Sequence, residues 1–150
     1  MKVFQRCTVL LLFAGMLWLP CEARNIAVVV PKSNTTGSIT SADLAKMLES
    51  TSRKWPDGSS VTVVLPGGAT SQDAELVVAR IFKLNQTQAR KFLADHKSAF
   101  VTCNSDEDVL NKVQSLPGSV GLVDVYSINN AIHVLKIDGK LPLEQGYLLR

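Results

Sequence analysis

Cysteine is scarce. The chain of 150 residues holds three, and two of them, Cys7 and Cys21, fall in the first apolar segment. Beyond that segment only Cys103 remains, so no intramolecular disulfide can form there. A lone cysteine is either a reactive thiol or a small buried apolar residue, and the second is its commoner fate. The histidines are His96 and His133 alone, far apart and without metal-ligand spacing around either. Charge of one sign is also lacking. Sixteen Lys and Arg stand against thirteen Asp and Glu, a net +3 spread evenly. That balance excludes a strong electrostatic grip on nucleic acid or on an acidic membrane face. No Gly-x-Ser-x-Gly elbow, HExxH, paired-cysteine motif or Walker loop occurs. Asp106, Glu107 and Asp108 cluster at a helix start, where they favour the helix dipole without any catalytic role. The expectation is a non-enzyme with no cofactor and no metal.

The first residues carry an address. Lys2 and Arg6 make a basic start, and Cys7 to Leu19 is an apolar run too short for a comfortable membrane span. Pro20 breaks it, and Cys21-Glu22-Ala23 puts small residues where a signal peptidase needs them. Residues 1–23 therefore read as a secretory signal peptide cleaved after Ala23. The expected location is periplasmic or secreted, with no stable membrane insertion after cleavage. A retained anchor is the rival. Cys21 also raises a lipoprotein site, although Trp18, Leu19 and Pro20 are poor residues ahead of a lipidated cysteine.

Residues 24–150 read as one domain, with no repeat, low-complexity tract or linker. Strands are expected at Ile26–Val30, Val61–Leu65, Val120–Val125 and Ile132–Ile137, with a short extended segment at Phe100–Cys103. Asn34-Thr35-Thr36, in the loop after the first strand, fits a glycosylation sequon that matters only in a eukaryotic secretory host. A helix over Ile39–Ser50 is signalled by Thr40 and Asp43 as a capping box, with Ile39 packing on Leu44 as a staple. Trp55-Pro56-Asp57-Gly58 is a turn by residue chemistry. Trp55 is a ligand platform or, more commonly beside a turn, a cover for the core edge. Asn85 opens a helix with Ala89, Phe92 and Leu93 inward. Ser105 caps another through Asp108, which Pro117-Gly118 ends. Alternating strands and helices imply an α/β domain with a mainly parallel sheet flanked by helices.

The middle of the chain, Val61–Leu84, is a strand, a glycine-bearing loop and a helix. Val61, Val63, Val64 and Leu65 suit a buried strand. Pro66, Gly67 and Gly68 stop it. Thr70 is expected as the N-cap, with Asp73 closing a capping box. Ala74, Val77, Val78, Ile81 and Leu84 then follow at the spacing of one helix face. A helix start offers N–H groups and a positive dipole end, so Gly67, Gly68, Thr70 and Ser71 are the candidate anion-binding residues. The other reading is a capped helix after a tight turn.

Several pieces stand in a familiar order: ITSADLAKML from Ile39, Trp55-Pro56-Asp57-Gly58, the central strand and loop, Pro117–Asp124 as PGSVGLVD, Val134–Lys140, and Gly146-Tyr147-Leu148-Leu149. In this order the chain resembles the phosphate-binding family of periplasmic solute-binding proteins that serve ABC transporters. PGSVGLVD is its most specific piece, close to the family's Pro-Gly-Ala-Ile-Gly-Tyr-Val. The resemblance implies a single periplasmic-binding-protein-like lobe where family members have two that close on ligand. It implies phosphate or another small anion as ligand, and a transporter or envelope protein as partner. The loop departs from the family's Arg-Ser-Asp-Gly-Ser-Gly-Thr, with Pro66 at the arginine position and Gly68 at the acidic one. Losing the guanidinium removes the strongest bidentate phosphate donor. Two function classes follow: weak anion binding by an exported lobe, or an interaction protein that reuses the lobe as a scaffold.

Overall fold

The computed structural model describes residues 24–49, 53–67 and 71–150. The expected signal peptide, Ser50–Ser52 and Gly68–Thr70 lie outside them. The elements in order are β1 (Ile26–Pro31), β2 (Ser38–Ile39), α1 (Ser41–Glu49), β3 (Thr62–Pro66), α2 (Gln72–Phe82), α3 (Gln86–Asp95), β4 (Val101–Cys103), α4 (Asp106–Ser115), β5 (Ser119–Asp124), β6 (Ile132–Val134) and β7 (Lys136–Ile137).

Five strands form one sheet in the order β4-β3-β5-β1-β6. β3 lies parallel to both β4 and β5, and β1 runs antiparallel to both β5 and β6. Four of the five strands thus point one way and β1 alone opposes them. Both faces are covered, which is why the strands read as unbroken apolar runs. On one face Ile26, Val28, Val30, Val63, Leu65, Val120 and Leu122 meet the apolar sides of α1, α2 and α3. On the other, Ala27, Val29, Val64 and Val123 meet Val109, Leu110 and Val113 of α4.

The stretch Ile132–Ile137, expected as one strand, is divided between two sheets. Ile132–Val134 extends the main sheet beside β1. Lys136–Ile137 instead pairs in parallel with Ser38–Ile39. Leu135, fully buried, turns the chain between them and donates its N–H to the Val28 carbonyl at 2.9 Å. The apolar alternation slips by one residue here, at Val134-Leu135, so that Ile132 and Ile137 are both buried although they are five residues apart.

Local signals held where the contacts are local. Thr40 and Asp43 cap α1 reciprocally, with Asp43 N–H to Thr40 Oγ1 at 3.1 Å and Thr40 N–H to Asp43 Oδ2 at 3.3 Å. The Thr40 hydroxyl, which donates to Asp43 Oδ2 at 2.8 Å, and then the Thr40 N–H hold the Asp43 carboxyl below its usual range. Asn85 and Gln88 cap α3 in the same way, and Ser105 accepts from Asp108 N–H at 3.1 Å. The end of α1 has a different device. Arg53 donates to the carbonyls of Met47, Leu48 and Ala99 and lies over the Phe100 ring, 4.8 Å from its centroid. One guanidinium thus satisfies orphan carbonyls of a helix end and ties it to the turn before β4.

PGSVGLVD has a physical account. Gly118 takes φ +75°, and a Cβ there would sit 2.6 Å from the Ser60 carbonyl oxygen. Ser119, fully buried, donates its hydroxyl hydrogen toward the carbonyls of Val113 (3.0 Å) and Leu116 (2.6 Å), closing the end of α4. A Cβ on Gly121 would meet Val113 Cγ2 at 2.6 Å, so its bareness lets α4 press onto the sheet. Residues 147–149 return to β1: Ile26 N–H donates to the Leu149 carbonyl at 3.0 Å, and the buried Tyr147 hydroxyl donates to the Ile26 carbonyl at 2.9 Å. Burial pushes the Tyr147 hydroxyl far up. No helix among the described residues is long and apolar enough to cross a membrane.

Candidate functional site

The carboxyl ends of β3, β4 and β5 converge with the start of β1 at one end of the sheet. Ligands of open α/β sheets bind outside such strand ends. The loop leaving β3 begins with Gly67 at φ +68°. Its N–H donates to the Cys103 carbonyl at 2.5 Å, pinning the loop to the end of β4. A Cβ on Gly67 would lie 3.1 Å from that of Ser71. Of the four candidate ligand residues, Gly67 therefore holds the loop to the sheet through its N–H. Ser71 stands at the helix mouth, and Gly68 and Thr70 lie outside the described residues.

The expected cap of α2 is corrected. Ser71 is its N-cap residue, in an extended conformation and with no side-chain capping bond. Thr70, the expected partner of Asp73 in a capping box, lies outside the described residues; the Asp73 carboxylate is buried and accepts from the Arg24 guanidinium. The reason is tertiary. Arg24 stands two residues before Ile26, the first residue of β1, and β1 delivers it to the same end of the sheet from 49 residues away. Nothing in the local spacing of Thr70 and Asp73 reveals that competitor.

Further carboxylates gather here. Asp106, in the first turn of α4, accepts from the Asp124 N–H at 3.1 Å and from the Ser127 hydroxyl at 2.8 Å. It ties the start of α4 to the end of β5, a structural use in place of the expected dipole role alone. Asp124 accepts from Tyr126 N–H at 2.9 Å. Burial raises the Asp73 carboxyl above its ordinary range; Arg24 draws it back, and the charges of Asp106 and Asp124 push it up again. Cys103, half-buried at the end of β4, has its thiol raised by burial and by Asp108, the opposite of an activated nucleophile.

The other end of the sheet carries a cleft of about 220 Å³, lined by Ser33, Asn34, Thr35, Thr36, Trp55, Asp57, Ser59, Pro117 and Gly118. Three of its side-chain oxygens, Asp57 Oδ1, Ser59 Oγ and Asn34 Oδ1, are already engaged within the chain. Asp57 Oδ1 accepts from Ser59 N–H and Oγ–H at 2.8 and 2.6 Å, which hold that carboxyl low, and Asn34 Oδ1 accepts from Thr36 N–H at 2.8 Å. Trp55 is only 3% exposed and donates its indole N–H to the Gly118 carbonyl at 3.0 Å. It covers the core edge and offers no platform to a ligand. His96 stacks on Phe92 at 4.2 Å between ring centroids and bonds the Phe92 carbonyl through Nδ1 at 2.8 Å, so it serves α3. His133 lies on the exposed side of edge strand β6. No group of His, Cys, Asp and Glu among the described residues could hold a metal ion.

No protein-family profile matches the chain, and no curated protein matches it. Solved structures do. An ABC-type phosphate transport receptor from Vibrio cholerae matches at 15% identity and a TM-score of 0.70, over 84% of this chain and 53% of the receptor. PstS from Borrelia burgdorferi matches at 17% identity and a TM-score of 0.65, over 84% of this chain and 54% of its own. A putative phosphate ABC transporter substrate-binding protein from Clostridium perfringens, solved with bound phosphate, matches at 13% identity and a TM-score of 0.64, over 77% and 46% of the two chains. At such identities the likeness is one of fold. The chain spans about half the length of these proteins, and its fold is that of a periplasmic-binding-protein-like lobe.

Proposed function

From the premise that this chain has the fold of a lobe found in phosphate receptors, we propose that it is an exported solute-binding module that takes a small anion, phosphate being the first candidate, weakly at the loop of residues 67–71. The observation that carries this reading is the place of the loop: at the carboxyl end of β3, opening directly into α2. N–H groups at the mouth of an 11-residue helix favour negative charge. Ser71 adds a hydroxyl that does not cap its own helix. The neighbours named above are solute-binding proteins, and no catalytic constellation argues for an enzyme.

Affinity on this reading is low. The loop has no arginine, and Asp73, Asp106 and Asp124 stand at the same end of the sheet. A dissociation constant on the order of millimolar, about 4 kcal/mol, is expected. Phosphate-induced NMR shifts on the purified protein test it. The expected result is a saturable shift at residues 67–73, weakened in Ser71→Ala. Micromolar binding would mean that a second lobe is supplied, by self-association or by a partner. The absence of any shift at tens of millimolar phosphate would remove the anion site. The second reading, a scaffold that engages a transporter or envelope protein, would then stand.

Export through a signal peptide at residues 1–23, with 24–150 as the folded domain, belongs to the same proposal. Sequencing of the exported protein should begin at or within a residue or two of Arg24. A start at Met1 would refute cleavage, and a diacylglyceryl group on Cys21 would replace it with lipoprotein anchoring.

A further inference from the structure

We propose that the cleft before β3 and β5 is a binding site for one ring of a neutral polyhydroxylated molecule, a monosaccharide or cyclitol. This site stands at the opposite end of the sheet from the loop of residues 67–71 and does not depend on it. Two of the segments that line it are fixed before any ligand arrives. In the first, Asn34 N–H donates to the Pro31 carbonyl at 2.9 Å, and Thr36 N–H donates to Asn34 Oδ1 at 2.8 Å. In the second, Gly58 N–H donates to the Trp55 carbonyl at 2.9 Å, Trp55 N–H to the Ser59 carbonyl at 2.8 Å, and Ser59 N–H to Asp57 Oδ1 at 2.8 Å. The Trp55 indole then ties this second segment to Gly118. Lining segments held in this way lose little freedom when a ligand binds.

The same bonds leave one half of each key side chain open to the cleft. Asn34 uses its amide oxygen in the turn, and its Nδ2 donors have no partner among the described residues. Asp57 accepts through Oδ1, and no other described residue donates to its Oδ2. The cleft thus offers a carboxylate oxygen that only accepts, an amide nitrogen that only donates, and the hydroxyls of Ser33, Thr35 and Thr36, which do either. Charge and size select among ligands. The Ser59 hydroxyl, and then its N–H, hold the Asp57 carboxyl below the usual range, so it is ionised at neutral pH. No Lys, Arg or His is among the described lining residues, so an anion meets a carboxylate and no cation. A cation finds one open carboxylate oxygen and no aromatic face, since Trp55 is sealed in the core. A neutral molecule with neighbouring hydroxyls matches the rest: one hydroxyl donates to Asp57 Oδ2 and the next accepts from Asn34 Nδ2. The volume of about 220 Å³ lies below the roughly 300–1,000 Å³ of sites for drug-sized ligands, which suits one ring and no longer chain. Hydrogen bonds exchanged against water give little net affinity, so a dissociation constant on the order of millimolar is expected.

The test is NMR titration of the purified protein with D-glucose, D-galactose and myo-inositol, each to about 100 mM, far above that constant, and with inorganic phosphate. Two variants accompany wild type, with thermal unfolding to establish that each is folded. Asn34→Asp keeps the oxygen that accepts from Thr36 N–H and removes the amide donor. Asp57→Asn keeps the oxygen that accepts from Ser59 and removes the charged acceptor. At least one of the three polyols should give saturable shifts at residues 33–36 and 57–59. Its constant should weaken roughly tenfold in Asp57→Asn, the equivalent of one charge-assisted hydrogen bond, and severalfold in Asn34→Asp. Should one variant fail to fold, the other decides. No saturable shift with any polyol, or constants unchanged in the folded variants, overturns the site. Saturable shifts of these residues by phosphate and not by the polyols overturn the ligand class and the proposal with it. Phosphate shifts at residues 67–73 bear on the anion site alone, so the two sites stand or fall separately.

Discussion

Val63→Asp is expected to leave the chain unfolded at room temperature. Val63 is 2% exposed in the middle of β3, paired in register with Val120 of β5 and packed in the core shared with α2. None of the described ion pairs reaches this position. A carboxylate there must stay charged without a partner or take up a proton and remain poorly bonded. Either costs several kcal/mol, against a total stability of about 5–15 kcal/mol for a domain of this kind. Circular dichroism with thermal unfolding reads the outcome. Thr102→Asp is the control: Thr102 is exposed on edge strand β4, and its substitution should change stability by no more than about 0.5 kcal/mol. A Val63→Asp protein as stable as wild type would show that this strand is not buried.

Trp55→Ala has the second largest expected effect, about 3–5 kcal/mol. The indole lies in the core that also takes in Leu48, Val61 and Val120. Its N–H bond to Gly118 joins the turn before β3 to the turn before β5. Removal opens a cavity and cuts that link. Trp55→Phe separates the two contributions: it keeps most of the ring, loses the bond, and should cost about 1–3 kcal/mol. The only other tryptophan is Trp18, so in the protein cleaved after Ala23 fluorescence reports Trp55 alone. Native emission should be that of a buried indole and should shift to the red on unfolding. A solvent-like native spectrum, or a Trp55→Ala loss under about 1 kcal/mol, would return Trp55 to the surface.

The candidate site was half legible. A glycine-bearing loop opening a helix can be read from Pro66, Gly67 and Gly68, because proline and glycine act on their own backbone angles. What surrounds that loop cannot. Asp73 looks like a helix cap in the string of residues and is the buried partner of Arg24 in the fold. Glu75 likewise looks like a first-turn acid, yet it is 5% exposed and bound to Arg90 of α3 at 2.8 Å. Both assignments turn on which other element arrives beside the first turn of α2. Arg24 carries no signal of its own, standing directly after an apolar leader and before an apolar strand.

By itself the sequence determined the alternation of strands and helices, the caps of α1 and α4, the start of α3, the turn at residues 55–58 and the sharp stop after β3. Each rests on contacts within a few residues, where propensity, capping chemistry and the angles of Pro and Gly act directly. Only the tertiary structure decided that β1 runs against the other four strands of its sheet, that residues 132–137 serve two sheets, that Trp55 is sealed in the core, and that Arg24 meets Asp73. Those outcomes depend on which faces and ends pack together, and a periodic apolar pattern records that a face is buried without recording against what.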